Sequence, residues 1–230
     1  MLTFCLWIAR AFRSIAEQRV LAGQALILAG PRGNGKTLLQ EEIITAMLGG
    51  RMVKARGWYL DAQAKFNVEL FKAEHHVLSD ENASRDYRAR REFGQKIKDA
   101  VANNQHSCHP KHVDSITLPA RWRLSISVND EAEHLQTLPP ISDKDIADKV
   151  HLFQTYQADI PADDDERAAW LARLMAEIPA FLFDALKLDV PAEMKEGRFG
   201  VKAFRHPYLL AQLNSFSPEV RLLEIVDELL

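Results

Sequence analysis

The sequence predicts an α/β fold with a mainly parallel sheet, helices on both faces and a helical C-terminal part. Three observations carry this expectation. The stretch Gly30-Pro-Arg-Gly-Asn-Gly-Lys-Thr37 fits G-x-x-x-x-G-K-[ST], the phosphate-binding loop, and an apolar run (25–29) precedes it while a helical pattern (38–47) follows. Further apolar runs end in polar residues at Asp80-Glu81 and at Asn129. Between them, segments of helical periodicity alternate with the strands, as in parallel-sheet domains.

Each position of the loop has a physical task. Gly33 and Gly35 allow backbone conformations that aim successive N–H groups inward. Pro31, Arg32 and Asn34 complete the turn, and the helix that follows points its positive end at the same place. Lys36 can reach the outer phosphates of a nucleoside triphosphate, and the Thr37 hydroxyl can ligate Mg²⁺. The expected ligand is therefore ATP or a relative, with Mg²⁺.

Composition bounds the rest. The 230 residues suit one such domain with a helical appendage, divided here as 1–158 and 159–230. A hydrophobic content of 47% is enough for a core and argues against disorder. With 29 basic and 32 acidic residues the formal charge is −3, so any grip on nucleic acid must come from a local basic element. Cys5 and Cys108 suggest no disulfide framework. The N-terminal run Leu2-Thr-Phe-Cys-Leu-Trp-Ile-Ala is too short for a membrane span and lacks the flanks of a signal peptide. The expected location is the cytoplasm, without a membrane partner.

In chain order, 2–20 reads as an amphipathic helix and Gly49-Gly50 closes the helix after the loop. Trp58-Tyr59-Leu60 reads as a short strand and 62–73 as a helix. The run His75-His-Val-Leu-Ser then ends in Asp80-Glu81, 44 residues after Lys36. One acid there suits the Mg²⁺ shell (Asp80) and its neighbour suits the attacking water (Glu81). Taken alone, the pair is also what a plain strand end looks like. The charged helix 85–103 fits a solvated face with i,i+4 ion pairs and a subunit contact equally.

Residues 106–119 read as a hairpin. His106, Cys108, His109 and His112 lie within seven residues, so one loop would have to wrap a zinc ion alone, which disfavours that reading. A Lys111-His112 tip better suits a backbone phosphate. The strand 121–128 ends at Asn129, placed either as a γ-phosphate sensor or as a simple Asn-Asp turn. A last strand follows Lys149, the acids 163–166 open a long helix (170–188), and a glycine-hinged basic loop (197–205) precedes two final helices (208–213 and 218–230).

This order resembles the superfamily 3 helicases, AAA+-related ring motors of small DNA viruses, phages and plasmids, and it is most similar to the helicase part of phage and plasmid primase-helicases. The most specific element is the Lys-His pair 18 residues before the strand-end Asn. The resemblance implies an AAA+-like P-loop ATPase with Lys36, Thr37, Asp80, Glu81 and Asn129 at the ATP site. It also implies Lys111 and His112 on single-stranded DNA inside a homo-oligomeric ring, a hexamer. Lys149 stands where the family often has an arginine finger; a lysine there supplies charge without a planar fork of donors. The usual glycine before the hairpin is missing, with Asn103-Asn104 in its place. No primase segment is evident, so a fragment, a stand-alone form and a chain working beside a separate primase remain open. Two rivals stand: an ATP-gated assembly module (a loader or defence ATPase) without unwinding, and a small-molecule kinase, disfavoured for want of an acceptor pocket.

Overall fold

A computed structural model describes residues 1–60, 66–79, 83–215 and 226. The chain opens with helix α1 (Leu2–Ala16) and strand β1 (Ala25–Gly30). After the Gly30–Thr37 loop it runs through α2 (Lys36–Leu38), a π-helical turn (Leu39–Ile44) and α3 (Thr45–Met47) as one continuous helix. Then come β2 (Met52–Lys54), α4 (Arg56–Leu60), a 3₁₀ turn (Val68–Lys72), β3 (His75–Ser79) and α5 (Tyr87–Ala102). A hairpin of β4 (Gln105–Cys108) and β5 (Ile116–Pro119) precedes β6 (Arg123–Asn129). Short helices α6 (Ala132–Leu135) and α7 (Lys144–Ala147) lead to β7 (Val150–Gln154) and the long α8 (Asp164–Lys187). A small hairpin of β8 (Lys195–Glu196) and β9 (Gly200–Val201) and helix α9 (Pro207–Ser215) follow.

The fold is mixed α/β, with a five-stranded sheet in the order β2-β3-β6-β1-β7 and every pair parallel. β1 is buried along its whole length because both faces are covered, which explains its unbroken apolar run. Its side chains alternate between two cores. Leu26 and Leu28 pack with Trp7, Ile8, Ile44, Leu48, Ile178 and Leu182 of α1, the 36–47 helix with its C-cap, and α8. Ala25, Ile27 and Ala29 face Phe93, Ile97, Leu124, Ile126, Leu135 and Leu152 on the other side. Gly49 and Gly50 (φ 104° and 84°) release the chain from the 36–47 helix. Asp86 caps α5 by accepting from the Ala89 N–H, and Asp163 caps α8 by accepting from the Asp165 and Glu166 amides.

Several local expectations need correction. Trp58-Tyr59-Leu60 is helical, and the edge strand is Met52–Lys54. Aromatic β-propensity is overridden there because Tyr59, 1% exposed, reaches across the core to His76 Nδ1 (3.1 Å). In place of a helix over 62–73, the described part is a 3₁₀ turn, started by Asn67, whose side chain is engaged elsewhere. α1 stops at Ala16, short of Val20, with Gln18 at φ 51°. α8 begins six residues earlier than its apolar pattern, at its Asp cap. The expected helix 218–230 lies outside the described residues apart from Val226.

Three histidines lie in the two cores. Burial pushes His75 down to about 3, with adjacent His76 adding to the shift, and pushes His76 and His151 down to about 4. The unfolded chain, with ordinary histidines near 6.5, takes up protons first as the pH falls. The stability tied to these rings is therefore complete above about pH 6.5 and is lost towards pH 4, by up to about 1.4 kcal/mol per pH unit for each ring. Urea midpoints should fall clearly from pH 7.5 to pH 5.5; equal midpoints would contradict neutral burial.

Candidate functional site

The C-terminal ends of the strands define the site. β1 ends at Gly30, which pairs in register with Asn129 at the end of β6, while β3 ends at Ser79, opposite Ser127. Such a strand-end edge is where open parallel sheets bind ligands. A cavity of about 590 Å³ lies there, lined by the loop from Arg32 to Leu38 together with Arg56, Ser79, Ser127, Val128 and Asn129.

The loop has the conformation its glycines permit. Gly33 and Gly35 have φ of 76° and 91°, in the left-handed region open to glycine. Lys36 is 8% exposed, and its ammonium donates to the carbonyls of Gly30 (2.7 Å) and Pro31 (2.7 Å) and to Asn34 Oδ1 (3.2 Å). Asn34 is itself tied to the far side, donating from Nδ2 to Thr155 Oγ1 (2.9 Å) just past β7. Thr155 holds the end of β1 in turn, through its N–H (2.7 Å) and its hydroxyl (3.1 Å), both donating to Ala29 O. A turn of backbone amides at a helix start, with a buried ammonium, is chemistry for a multiply charged anion. Lys36, Thr37, Ser79 and Ser127 supply groups able to hold such an anion and a hydrated divalent ion.

Asn129, 7% exposed, joins the loop residues at this cavity. Asp80 and Glu81 lie outside the described residues, one and two positions beyond Ser79. Lys149 is not brought to the site. It precedes β7 at the opposite end of the sheet, is 6% exposed, and its ammonium lies 2.6 Å from Asp148 Oδ1. A finger reaching a neighbouring copy must project from the surface, and this side chain is turned inward.

Lys111 and His112 sit apart from the cavity, exposed at the tip of the β4–β5 hairpin, with His112 at φ 61° in its turn. The end of β4 next to the tip loop is held by Asn67, whose Nδ2 donates to Ser107 O (2.8 Å) and whose Oδ1 accepts from His109 N–H (2.6 Å). His106 packs on Trp122 with ring centroids 5.0 Å apart, and Cys108 is buried. His106, Cys108, His109 and His112 thus have four different surroundings.

Sequence reasoning missed Arg56, Thr155 and Asn67. Arg56 follows the edge strand, so placing β2 at 52–54 would find it, since residues just past strand ends line this edge. Thr155 and Asn67 act through contacts distant in sequence, and no local pattern marks them.

Residues 28–146, just over half of the chain, match a family of unknown function, DUF5906. The chain belongs to this family. No curated protein matches the sequence. Among solved structures, the DUF5906 chain is similar to the apo C-terminal region of NrS-1. One form gives a TM-score of 0.62 at 14% identity, covering 93% of this chain and 47% of that one. A second, of residues 305–718, gives 0.64 at 14%, covering 92% and 47%. The chain therefore spans about half the length of that region, and at this identity the likeness is one of fold.

The close approach of Thr155 to the loop makes a local test. A Cβ at Gly30 would collide with Thr155 O and Oγ1 and come within 2.6 Å of Asn34 Nδ2. Gly30→Ala should lower Tm by about 5 °C. Among the described residues Gly33→Ala meets nothing within 4 Å and bears only the backbone strain, so its fall should be smaller. Thermal melts that reverse this order would contradict the arrangement.

Proposed function

We propose that this DUF5906 protein is a Mg²⁺-dependent ATPase of the P-loop, AAA+-like kind, working as a homo-oligomeric ring, a hexamer, that moves along single-stranded DNA in phage or plasmid replication, alone or beside a primase. The observation that carries the nucleotide part is the glycine-turned loop, with Lys36 at the start of its helix, opening on a cavity whose opposite wall is Asn129. The cavity volume suits a nucleotide-sized ligand. In this reading the loop amides and Lys36 hold the phosphates, Thr37 and Asp80 hold Mg²⁺, Asn129 orients water at the terminal phosphate, and Glu81 takes the water's proton. Metal and ammonium supply fixed positive charge where the leaving phosphate gains negative charge. To bind, the phosphates must replace the carbonyl partners that Lys36 now has.

The DNA part rests on the sequence resemblance and on the exposed hairpin. A chain of net charge −3 needs a concentrated grip, and Lys111 at a tip repeated around a ring would line its channel with positive charge. Lys149 is left out of this assignment because its ammonium is held by Asp148.

Lys36→Ala should weaken ATP binding at least tenfold by calorimetry, because it removes a charge-assisted phosphate contact. Glu81→Gln should bind ATP normally and lose about a hundredfold or more in kcat, keeping the shape without the base. Normal turnover by Glu81→Gln would refute its role.

The DNA reading is decided by ATPase rates with and without single-stranded DNA, measured beside the native mass. Lys111→Ala should weaken DNA binding and remove DNA stimulation. It should also make the logarithmic salt slope shallower by about 0.7 for each phosphate that is no longer neutralised. ATP-dependent assembly without DNA stimulation in the wild type would instead favour an ATP-gated module.

A further inference from the structure

Beneath the cavity lies a closed chain of buried polar groups that the proposed chemistry does not use. Gln40, Thr45, His75 and Ser125 are all at most 6% exposed. Gln40 Nε2 donates to Ser125 Oγ (2.8 Å) and to Leu78 O (3.2 Å). Ser125 Oγ lies 2.7 Å from His75 Nε2, and His75 Nδ1 lies 2.8 Å from Thr45 Oγ1. The Thr45 hydroxyl donates to the backbone carbonyl of Gln40 (3.3 Å), so the chain returns to the residue where it began.

Counting protons fixes its direction. Ser125 accepts from the Gln40 amide, which leaves its own hydrogen for His75 Nε2. That nitrogen must then be bare, so Nδ1 carries the proton and donates to Thr45, whose hydrogen goes to Gln40 O. The opposite histidine tautomer would leave the Ser125 hydrogen and the Gln40 carbonyl without partners in the circuit. Burial keeps the ring neutral, pushing it down to about 3.

The elements it joins are those that carry the site. Gln40 stands one turn below Lys36 in the continuous 36–47 helix, within its π-helical segment. Ser125 shares a face of β6 with Ser127 and Asn129, and His75 and Leu78 lie on β3, which ends at Ser79. Burying four polar side chains beside an apolar core is unfavourable, and Gln40 Oε1 has no partner among the described residues, so apolar residues would fill the space more simply.

We propose that the circuit Gln40–Ser125–His75–Thr45 sets the register of the helix bearing Lys36 and Thr37 against β3 and β6, with Gln40 as the positioning residue. The role rests on the nucleotide reading above. It is exerted on turnover more than on binding, because Lys36 and the loop amides meet the phosphates directly. The Mg²⁺ and water side is built on three separate elements that must stay aligned to within a fraction of an ångström.

The test compares Thr45→Val, which keeps the shape and removes the hydroxyl, with Thr45→Ser, which keeps the hydroxyl. Thr45→Val should lower kcat about tenfold with the Kd for ATP changed by less than about twofold, and Thr45→Ser should restore kcat. Ser125→Ala should behave like Thr45→Val; if it does not fold, the Thr45 pair decides. Nitrogen-15 NMR of the wild type should show His75 protonated at Nδ1 and bare at Nε2. Wild-type kcat in folded Thr45→Val, or a His75 ring protonated at Nε2, overturns the proposal. Wild-type protein that neither binds nor hydrolyses ATP overturns the nucleotide reading and this role with it. That failure is distinct because it appears before any variant is made.

Discussion

The end of β1 is held from both sides, and the placement of the site follows from that. On one side Gly30 pairs with Asn129 of β6; on the other, Thr155 beyond β7 bonds Ala29 O and receives Asn34. A strand buried on both faces has no freedom to shift, so the loop leaving it must turn within a few residues into the 36–47 helix. Gly30 is required because Thr155 comes so close, and Gly35 because its φ of 91° lies in the left-handed region. Gly30 thus answers to packing, and Gly33 and Gly35 to backbone conformation. What results is a rigid rim, suited to holding a flexible charged ligand at low entropic cost.

Much of this rim is legible in the sequence because its determinants are local. The loop motif fixes residue types at fixed spacing, and the apolar runs that form β1, β3, β6 and β7 are long enough to stand out. The hairpin is legible too, from its turn residues between short β-forming runs. The edge strand is not. Met52-Val-Lys54 is only three residues long, and the adjacent aromatic triplet reads more like a strand than it does. Tyr59 goes into a helix for a reason that lies elsewhere, in the hydroxyl's reach to His76. The same blindness hides Arg56, which lines the cavity as a consequence of where β2 ends. Lys149 differs again: its position in the chain order matches a familiar pattern and its neighbour Asp148 is plain in the sequence, but the burial of its side chain is visible in three dimensions alone.

The polar interior has a division of labour that a propensity argument cannot supply. His75 and His76 are neighbours on β3 and point to opposite faces. His75 enters the circuit with Ser125 and Thr45 under the loop helix. His76 stacks on Trp122 at 4.7 Å and is bonded through Nδ1 to Tyr59 and through Nε2 to Leu70 O. Both rings are kept neutral by burial, so each serves as a fixed donor and acceptor and neither carries charge at neutral pH.

This places β3 between the loop helix and the hairpin. Its loop-side face is joined to the helix that carries Lys36. Its other face meets Trp122, against which His106 of the hairpin root also packs, while Asn67, just before the 3₁₀ turn leading into β3, holds the tip end of β4. The aromatic contacts are broad and apolar, and the hydrogen bonds are few and directional. A rigid displacement of β3 would therefore carry the hairpin root with it and would strain the circuit on its opposite face. The tip with Lys111 and His112 stands exposed beyond its two strands, its turn starting from the His109 amide that Asn67 holds. The hairpin is fixed along the length of β4 and projects at its exposed turn, and that fixed strand is tied through Trp122 to the strand that leads into Asp80 and Glu81.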